Sequence, residues 1–143
     1  MNKRWLAIEG GGTRSAISLI NHSLEEKTGF EGPALHVQRM SMDKLINRIE
    51  KMVESAMEEW SLEADSIDAL GLALAGADRS DEQMNIRNSL QTANWPFPVF
   101  VTSDIRATHL GSFENSSGIL VIAGTGSIVL GRNQERWKRA GGY

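Results

Sequence analysis

The sequence contains no cysteine. Disulfide bonds, thiol catalysis and cysteine-ligated metal or iron–sulfur sites are therefore excluded within these 143 residues. A strong charge of either sign is also missing, because 15 basic and 18 acidic residues leave a formal net charge of -3. Since no basic stripe is present to follow a phosphate backbone, we expect no nucleic-acid partner.

Long apolar runs are absent as well. The first apolar run follows Lys3 and Arg4 and is interrupted at Glu9, so it matches neither a secretion signal nor a membrane span. We therefore expect a cytoplasmic protein with no membrane contact. The three histidines show no spacing typical of metal ligands. The hydrophobic fraction of 41% is nevertheless sufficient for one compact domain with a core.

A glycine-rich stretch near the amino terminus organises the sequence. It consists of Gly10, Gly11, Gly12 and Thr13. Short runs rich in Ile and Leu flank it at residues 6–8 and 16–20, which predicts two strands joined by a tight turn. Successive N–H groups in such a turn suit phosphate, and glycine permits close approach to the backbone. Glu9 ends the first strand, where its carboxylate could hold a hydrated Mg²⁺.

Other interpretations of this stretch remain open. It lacks the lysine of a P-loop, and a strand rather than a helix follows it, unlike in a Rossmann turn. An ordinary hairpin with a permissive turn and no ligand is the simplest alternative. Arg14 and Arg79 could pair with phosphate, but a solvated surface charge is the favoured explanation for both.

The middle of the chain alternates strand and helix patterns. Residues 22–34 are polar and predict a hairpin connection, and residues 34–40 predict a short third strand. An amphipathic helix follows over residues 42–60, with Ser41 as its N-cap. Residues 67–74 predict a buried strand that ends in the small residues 75–77.

The second half of the chain repeats this alternation. Residues 80–83 read as a capping box, which predicts a helix to about Ala93. A strand over residues 99–102 ends at Ser103 and Asp104, and a short helix over residues 105–113 follows. The apolar strand 119–123 then leads into a second glycine turn made of Gly124, Thr125, Gly126 and Ser127. Residues 128–132 and 137–140 predict two further strands.

This order of elements predicts an α/β fold. We expect a mixed sheet with an antiparallel leading hairpin and parallel strands flanked by helices. Parallel strands covered by helices are almost continuously apolar, as residues 67–74 and 119–123 are. Ligands bind beyond the carboxyl ends of such strands. Since Glu9, Gly76 and Asp104 each lie at a strand end, we predict that they meet at one cleft.

The motifs resemble those of the sugar-kinase branch of the actin/Hsp70/hexokinase-like ATPases. The similarity is greatest to the N-acetylglucosamine kinase and BadF/BadG/BcrA/BcrD-type ATPase family. It rests on residues 8–15, 71–77, 102–104, 124–127 and 141–143, which occur in the family's order. The resemblance implies a ribonuclease H-like fold, ATP and Mg²⁺ as cofactors, and phosphorylation of an amino sugar such as N-acetylglucosamine or glucosamine.

The resemblance also implies a role for each site residue. Asp104 would be the general base that accepts the proton of the attacking sugar hydroxyl, although a cap of the following helix is its simpler role. Glu9 would hold Mg²⁺. The residues expected to bind ATP phosphates are Gly10, Gly11, Gly12, Thr13, Gly124, Thr125, Gly126 and Ser127. The residues expected to contact sugar are Asp104, His36, Gly142 and Tyr143; His36 lies nearest to a family asparagine that has no clear match.

The family's second lobe, which carries the adenosine pocket, begins where this sequence ends. We therefore expect residues 1–143 to form a single amino-terminal lobe that is inactive alone, and we expect the protein to be a homodimer. The isolated chain should self-associate through apolar surface at residues 119–123 and 128–130 or through unpaired edge strands near residues 136–140. Two alternatives remain: an ATPase activator of the acyl-CoA dehydratase type and a non-catalytic, sugar-responsive regulator. The sequence of the second glycine turn argues against the first, and a start directly at a strand argues against the second.

Overall fold

The computed structural model describes residues 2–114, 116–124 and 126–142. It divides into two compact units, Met1–Asp104 and Ile105–Tyr143. Each unit is built around its own sheet. No helix in these described ranges is both long enough and apolar enough to cross a membrane.

The first unit contains a five-stranded sheet in the order β3-β2-β1-β4-β5. Its strands are β1 (Arg4–Gly10), β2 (Arg14–Asn21), β3 (Glu26–Pro33), β4 (Ala69–Leu74) and β5 (Val99–Ser103). The first three strands are antiparallel, whereas β4 pairs parallel with both β1 and β5. The predicted mixed sheet with a leading antiparallel hairpin is therefore confirmed.

Two helices connect the parallel strands. Helix α1 (Met42–Glu59) joins β3 to β4, and helix α2 (Ser80–Ser89) joins β4 to β5. Ser41 caps α1 as predicted, since its hydroxyl accepts a hydrogen bond from the Lys44 N–H at 3.3 Å. The predicted cap of α2 was one residue too late, because the Glu82 carboxylate accepts from the Arg79 N–H at 3.3 Å and makes Arg79 the N-cap. A 3-10 helix, Leu90–Ala93, then extends α2 to the predicted end.

One face of the sheet forms the core with these helices. The buried apolar side chains of the sheet are Leu6, Ile8, Ile17, Leu70, Leu72 and Leu74. The buried stripe of α1 is Leu45, Ile46, Ile49, Met52, Val53 and Ala56. Since burying a side chain of this size contributes about 1.5–3 kcal/mol, this layer fixes the positions of the strand ends.

The third strand lies earlier in the chain than predicted. Strand β3 covers Glu26–Pro33, where we expected a connection, and residues 34–40 contain a 3-10 helix, Val37–Arg39, in place of a strand. β3 is an edge strand of mostly exposed residues, so it lacks the apolar alternation by which strands are recognised. Its one large apolar side chain, Phe30, packs on Trp60 after α1 with ring centroids 5.4 Å apart.

The second unit contains most of helix α3 (Asp104–Phe113) and a three-stranded antiparallel sheet in the order β6-β7-β8. Its strands are β6 (Gly118–Ala123), β7 (Ser127–Asn133) and β8 (Arg136–Gly141), as predicted. His109 of α3 is buried, with Nε2 3.0 Å from the Gly118 carbonyl oxygen. Its ring also contacts Phe113 and Trp137 at centroid distances of 4.7 and 4.9 Å, so it packs α3 onto the sheet.

Strand β6 does not have the environment that its composition predicted. We expected a parallel strand covered by helices, but β6 pairs antiparallel with β7 at one edge of its sheet. Ile119, Val121 and Ile122 are 69%, 61% and 41% exposed. An apolar run shows that a strand can be covered, but it does not show that a cover is present.

Candidate active site

Three parallel strands end together at one edge of the first sheet. Gly10 of β1 is paired with Leu74 of β4, and Leu74 is paired with Ser103 of β5. Neighbouring strands lie about 4.8 Å apart, so the backbones of Gly10 and Ser103 are separated by about 10 Å. Glu9 at the end of β1, Gly76 after β4 and Asp104 after β5 therefore lie along one edge, and their meeting at one cleft stays a prediction.

The first glycine turn is held by backbone hydrogen bonds on three sides. The Gly11 N–H donates to the Arg14 carbonyl at 2.8 Å, which closes the turn between β1 and β2. The carbonyl of Gly10 accepts from the Ala75 N–H at 2.8 Å, and that of Gly11 accepts from the Leu35 N–H at 3.0 Å. The exposed residues Gly12 and Thr13 thus stand on a backbone that is fixed to neighbouring segments.

The segment 34–39, which we predicted as a strand, crosses this edge. His36 forms an isolated parallel bridge with Ala75, and the Val37 N–H donates to the Ala75 carbonyl at 3.0 Å. The buried Leu35 anchors the segment in the core, and the Arg48 guanidinium donates to the Ala34 carbonyl at 2.6 Å. These bonds place His36 beside the first glycine turn.

His36 presents a hydrogen-bond donor at the edge. Its Nδ1 accepts from the Gln38 N–H at 3.2 Å, so the neutral ring carries its proton on Nε2. The two carbons that flank Nε2 face glycines: Cδ2 lies 3.7 Å from where a Cβ on Gly12 would be, and Cε1 lies 3.0 Å from that of Gly76. Gly76 has a φ of +83°, which glycine adopts without strain. The His36 ring therefore lies between the turn and the end of β4.

A cleft of about 280 Å³ opens beside the turn and is lined by Glu9, Gly11 and Thr13 among others. Glu9 and Glu31 lie in one cross-strand row with Ala16 between them. Arg14 pairs with Glu31 at 3.2 Å, and because both side chains are more than two-thirds exposed, this pair adds little stability. In the described part of the chain Glu9 makes no ion pair, so its carboxylate is available at the mouth of the turn.

The donor set fits Mg²⁺ only in combination with a nucleotide. Among the described residues there is no group of three or more acidic or histidine side chains that could hold a metal ion. Mg²⁺ in phosphoryl-transfer sites is usually held by one or two carboxylates together with phosphate oxygens and water. Glu9, next to a turn of exposed backbone, meets that requirement.

Asp104 follows the buried Ser103 and is the first residue of α3. The helix therefore begins one residue earlier than predicted, and Asp104 lies in its first turn, where a carboxylate is favoured by the helix dipole. Its side chain is half-buried. This position puts a carboxylate at the end of β5, two strands away from the first glycine turn.

The second glycine turn belongs to the second unit. The Gly124 N–H donates to the Gly126 carbonyl at 2.9 Å, which closes the turn between β6 and β7. Gly124, Gly126 and Ser127 are exposed. Thr125, which we also expected to bind phosphate, lies outside the described residues.

The carboxyl end of β8 lies against this second turn. Gly141 is paired with Ile128, and a Cβ on Gly141 would lie 2.6 Å from the Ser127 carbonyl oxygen. Gly142 follows with a φ of +71°, and its carbonyl accepts from the Arg139 guanidinium. The structure thus places Gly142, an expected sugar contact, against Ile128, the residue after Ser127, which is an expected phosphate contact. Tyr143 lies outside the described residues.

Arg39 places a positive charge at the first turn that the sequence motifs did not predict. Nη1 of Arg39 lies 2.8 Å from the position that a Cβ on Gly12 would occupy. Arg39 belongs to the segment that we predicted as a strand, and no motif marks it. The segment's position across the sheet edge was the missing information.

Comparison with known proteins gives one curated relative. No protein-family model matches the sequence. The chain is 26% identical over 141 residues to the N-acetylmuramic acid/N-acetylglucosamine kinase of Clostridium acetobutylicum. The match covers 96% of this chain and 45% of the relative, so the chain spans less than half of that kinase.

Solved structures agree with this match. A candidate N-acetylglucosamine kinase from Chromobacterium violaceum superposes with a TM-score of 0.75 at 25% identity, over 99% of this chain and 49% of that protein. A ROK family glucokinase from Streptomyces griseus, in complex with glucose and AMPPNP, gives a TM-score of 0.68 at 15% identity, over 96% and 46% of the two chains. The predicted resemblance is confirmed: the chain is similar to N-acetylglucosamine kinases over nearly its whole length and has the actin-like ATPase fold of the sugar kinases.

Proposed function

We propose that this chain is the amino-terminal lobe of an ATP-dependent kinase that phosphorylates an amino sugar such as N-acetylglucosamine or glucosamine. The observation that carries the proposal is the row of Gly10, Leu74 and Ser103, which brings a glycine turn and Asp104 to one sheet edge. The 26% identity to a curated sugar kinase over nearly the whole chain supports the same reaction.

On the nucleotide side, the first glycine turn would bind the phosphates of ATP. The exposed backbone of Gly12 and the hydroxyl of Thr13 offer neutral donors on a turn that three backbone hydrogen bonds keep in place. Phosphoryl transfer depends mostly on such positioning and on charge neutralisation. Mg²⁺ bound beside Glu9 would supply part of that neutralisation.

On the acceptor side, Asp104 would accept the proton of the attacking hydroxyl and hold that hydroxyl in line with the phosphate. Its place at the end of β5 leaves about 10 Å between its strand and the turn, which is room for a phosphate and the reacting part of a sugar. The Nε2–H of His36 would donate to a sugar oxygen.

Residues of the second unit are also proposed to bind ligand. The phosphate contacts would be Gly124, Thr125, Gly126 and Ser127, and Gly142 and Tyr143 would contact the sugar. We further propose that the complete enzyme has a second lobe with the adenosine pocket, that the 143-residue chain alone is inactive, and that the protein is a homodimer.

Sugar-dependent release of ADP by the full-length protein tests the proposal. The panel contains N-acetylglucosamine, glucosamine, N-acetylmannosamine, N-acetylmuramic acid and glucose, each with MgATP. We expect ADP release that requires one of the amino sugars and a phosphorylated product detectable by mass spectrometry. ATP hydrolysis that ignores every sugar would favour the dehydratase activator instead, and sugar binding with no ADP release would favour the regulator.

A further inference from the structure

The guanidinium of Arg39 lies on the first glycine turn. Nη1 is 2.8 Å and Cζ is 3.6 Å from the position that a Cβ on Gly12 would occupy. A side chain at residue 12 would therefore displace the guanidinium, whereas glycine leaves room for it. Although Arg39 is exposed, its charged end rests against a specific piece of backbone.

The base of this side chain is also fixed. The Arg39 N–H donates to the His36 carbonyl at 3.1 Å, and His36 itself is bridged to Ala75 at the end of β4. The Val37 N–H donates to the Ala75 carbonyl at 3.0 Å. The backbone that carries Arg39 is thus attached to the same sheet edge as the turn that its guanidinium touches.

Two other arginines near this edge already have partners. Arg14 pairs with Glu31 at 3.2 Å, and Arg48 donates to the Ala34 carbonyl at 2.6 Å. Within the described ranges, the Arg39 guanidinium makes no hydrogen bond and no ion pair. It is therefore a positive charge held at the turn with its donors unused by the protein.

We propose that Arg39 binds the terminal phosphate of the nucleoside triphosphate at this turn. The inference rests on the proposed function, which gives the turn a phosphate ligand. Backbone amides are neutral and offset little of a triphosphate's charge, whereas a planar guanidinium donates two parallel hydrogen bonds to a phosphate group and carries a full charge. Since Arg39 and His36 both lie beside Gly12, the phosphate held by Arg39 would be close to the ring that we propose to contact the sugar.

The test uses the 143-residue chain labelled with ¹⁵N and titrated with sodium tripolyphosphate, a probe with phosphates but no nucleoside. The amide signals of Gly11 and Gly12 report binding. We expect Arg39→Gln to raise the dissociation constant about tenfold, since it removes a charge-assisted contact. Arg39→Lys should restore part of the affinity, because lysine keeps the charge but lacks the two parallel N–H donors of the guanidinium. The matched control is Arg87→Gln, an exposed arginine in the last turn of α2, which we expect to change the constant less than twofold.

The outcomes separate the two proposals. If tripolyphosphate shifts neither Gly11 nor Gly12 in the unsubstituted chain, both the phosphate turn and the role of Arg39 are wrong. If the unsubstituted chain binds and Arg39→Gln binds equally well, only the role of Arg39 is wrong. Equal losses in Arg39→Gln and Arg87→Gln would also overturn it, because they would reflect net charge alone. Unchanged amide signals in β1 and β4 show that each variant is folded.

Discussion

The contact between Gly76 and His36 gives a quantitative test of the site geometry. Replacing Gly76 by Ala adds a Cβ at a φ of +83°, a conformation that costs an L-residue about 1–2 kcal/mol. The new Cβ would also lie 3.0 Å from Cε1 and 3.2 Å from Nδ1 of His36, closer than normal van der Waals contact. We expect Gly76→Ala to lower the free energy of unfolding of the first unit by about 1–3 kcal/mol in total.

Gly71→Ala is the matched control, because Gly71 lies on β4, the strand that Gly76 follows, and the nearest atom to its Cβ position is the Leu6 carbonyl oxygen at 4.0 Å. We expect this substitution to change stability by less than about 0.5 kcal/mol. Native-state amide exchange of β1 and β4 measures both variants, since those amides report opening of the first unit. In a His36→Ala background the contact is gone, so Gly76→Ala should cost about 0.5–1 kcal/mol less. An equal Gly76→Ala cost in the two backgrounds would refute the placement of His36.

Three further predictions concern other parts of the molecule. His109→Ala should destabilise the second unit by about 2–4 kcal/mol, because it removes a buried ring and its hydrogen bond to the Gly118 carbonyl. Amide exchange of β7 measures this effect, and His22→Ala, a substitution of an exposed histidine, is the control that should change nothing. Ile119→Lys should abolish the self-association expected of the chain at tens of micromolar, because it places a charge on the exposed apolar surface of β6. Analytical ultracentrifugation measures this, and sedimentation of the unsubstituted chain as a clean monomer would contradict the expectation. Glu9→Gln in the full-length enzyme should raise the Mg²⁺ concentration for half-maximal ADP release about tenfold and leave the KM for sugar unchanged; an unaltered Mg²⁺ dependence would remove Glu9 from the metal site.

The sequence predicted those parts of the fold that depend on local pattern. The two strand-turn-strand motifs follow from short Ile- and Leu-rich runs around glycines. The position of Glu9, Gly76 and Asp104 along one edge follows from parallel strands, whose carboxyl ends must lie at the same edge of the sheet. Helix α1 was equally clear, because its apolar spacing and its Ser41 cap agree.

The remaining features depend on contacts between residues far apart in the sequence. Strand β3 is recognisable only from its pairing with β2, since its own residues are mostly polar. Residues 34–39 are positioned by hydrogen bonds to Gly11 and Ala75, and without those bonds neither the donor of His36 nor the position of Arg39 can be inferred. The exposure of β6 depends on which elements cover it, and composition does not specify that.

The most direct test of the proposed kinase is the turnover number of Asp104→Asn in the full-length protein with MgATP and its best amino-sugar substrate. The control is Asp65→Asn, an exposed acid in the 3-10 helix before β4, which should leave kcat unchanged. If Asp104 is the general base, the amide cannot accept the proton of the sugar hydroxyl, and kcat should fall about 10²–10⁴-fold while the fold and the KM for MgATP stay nearly constant. A kcat within about threefold of that of the unsubstituted enzyme would contradict the proposed role of Asp104 as general base and leave it only its place in the first turn of α3.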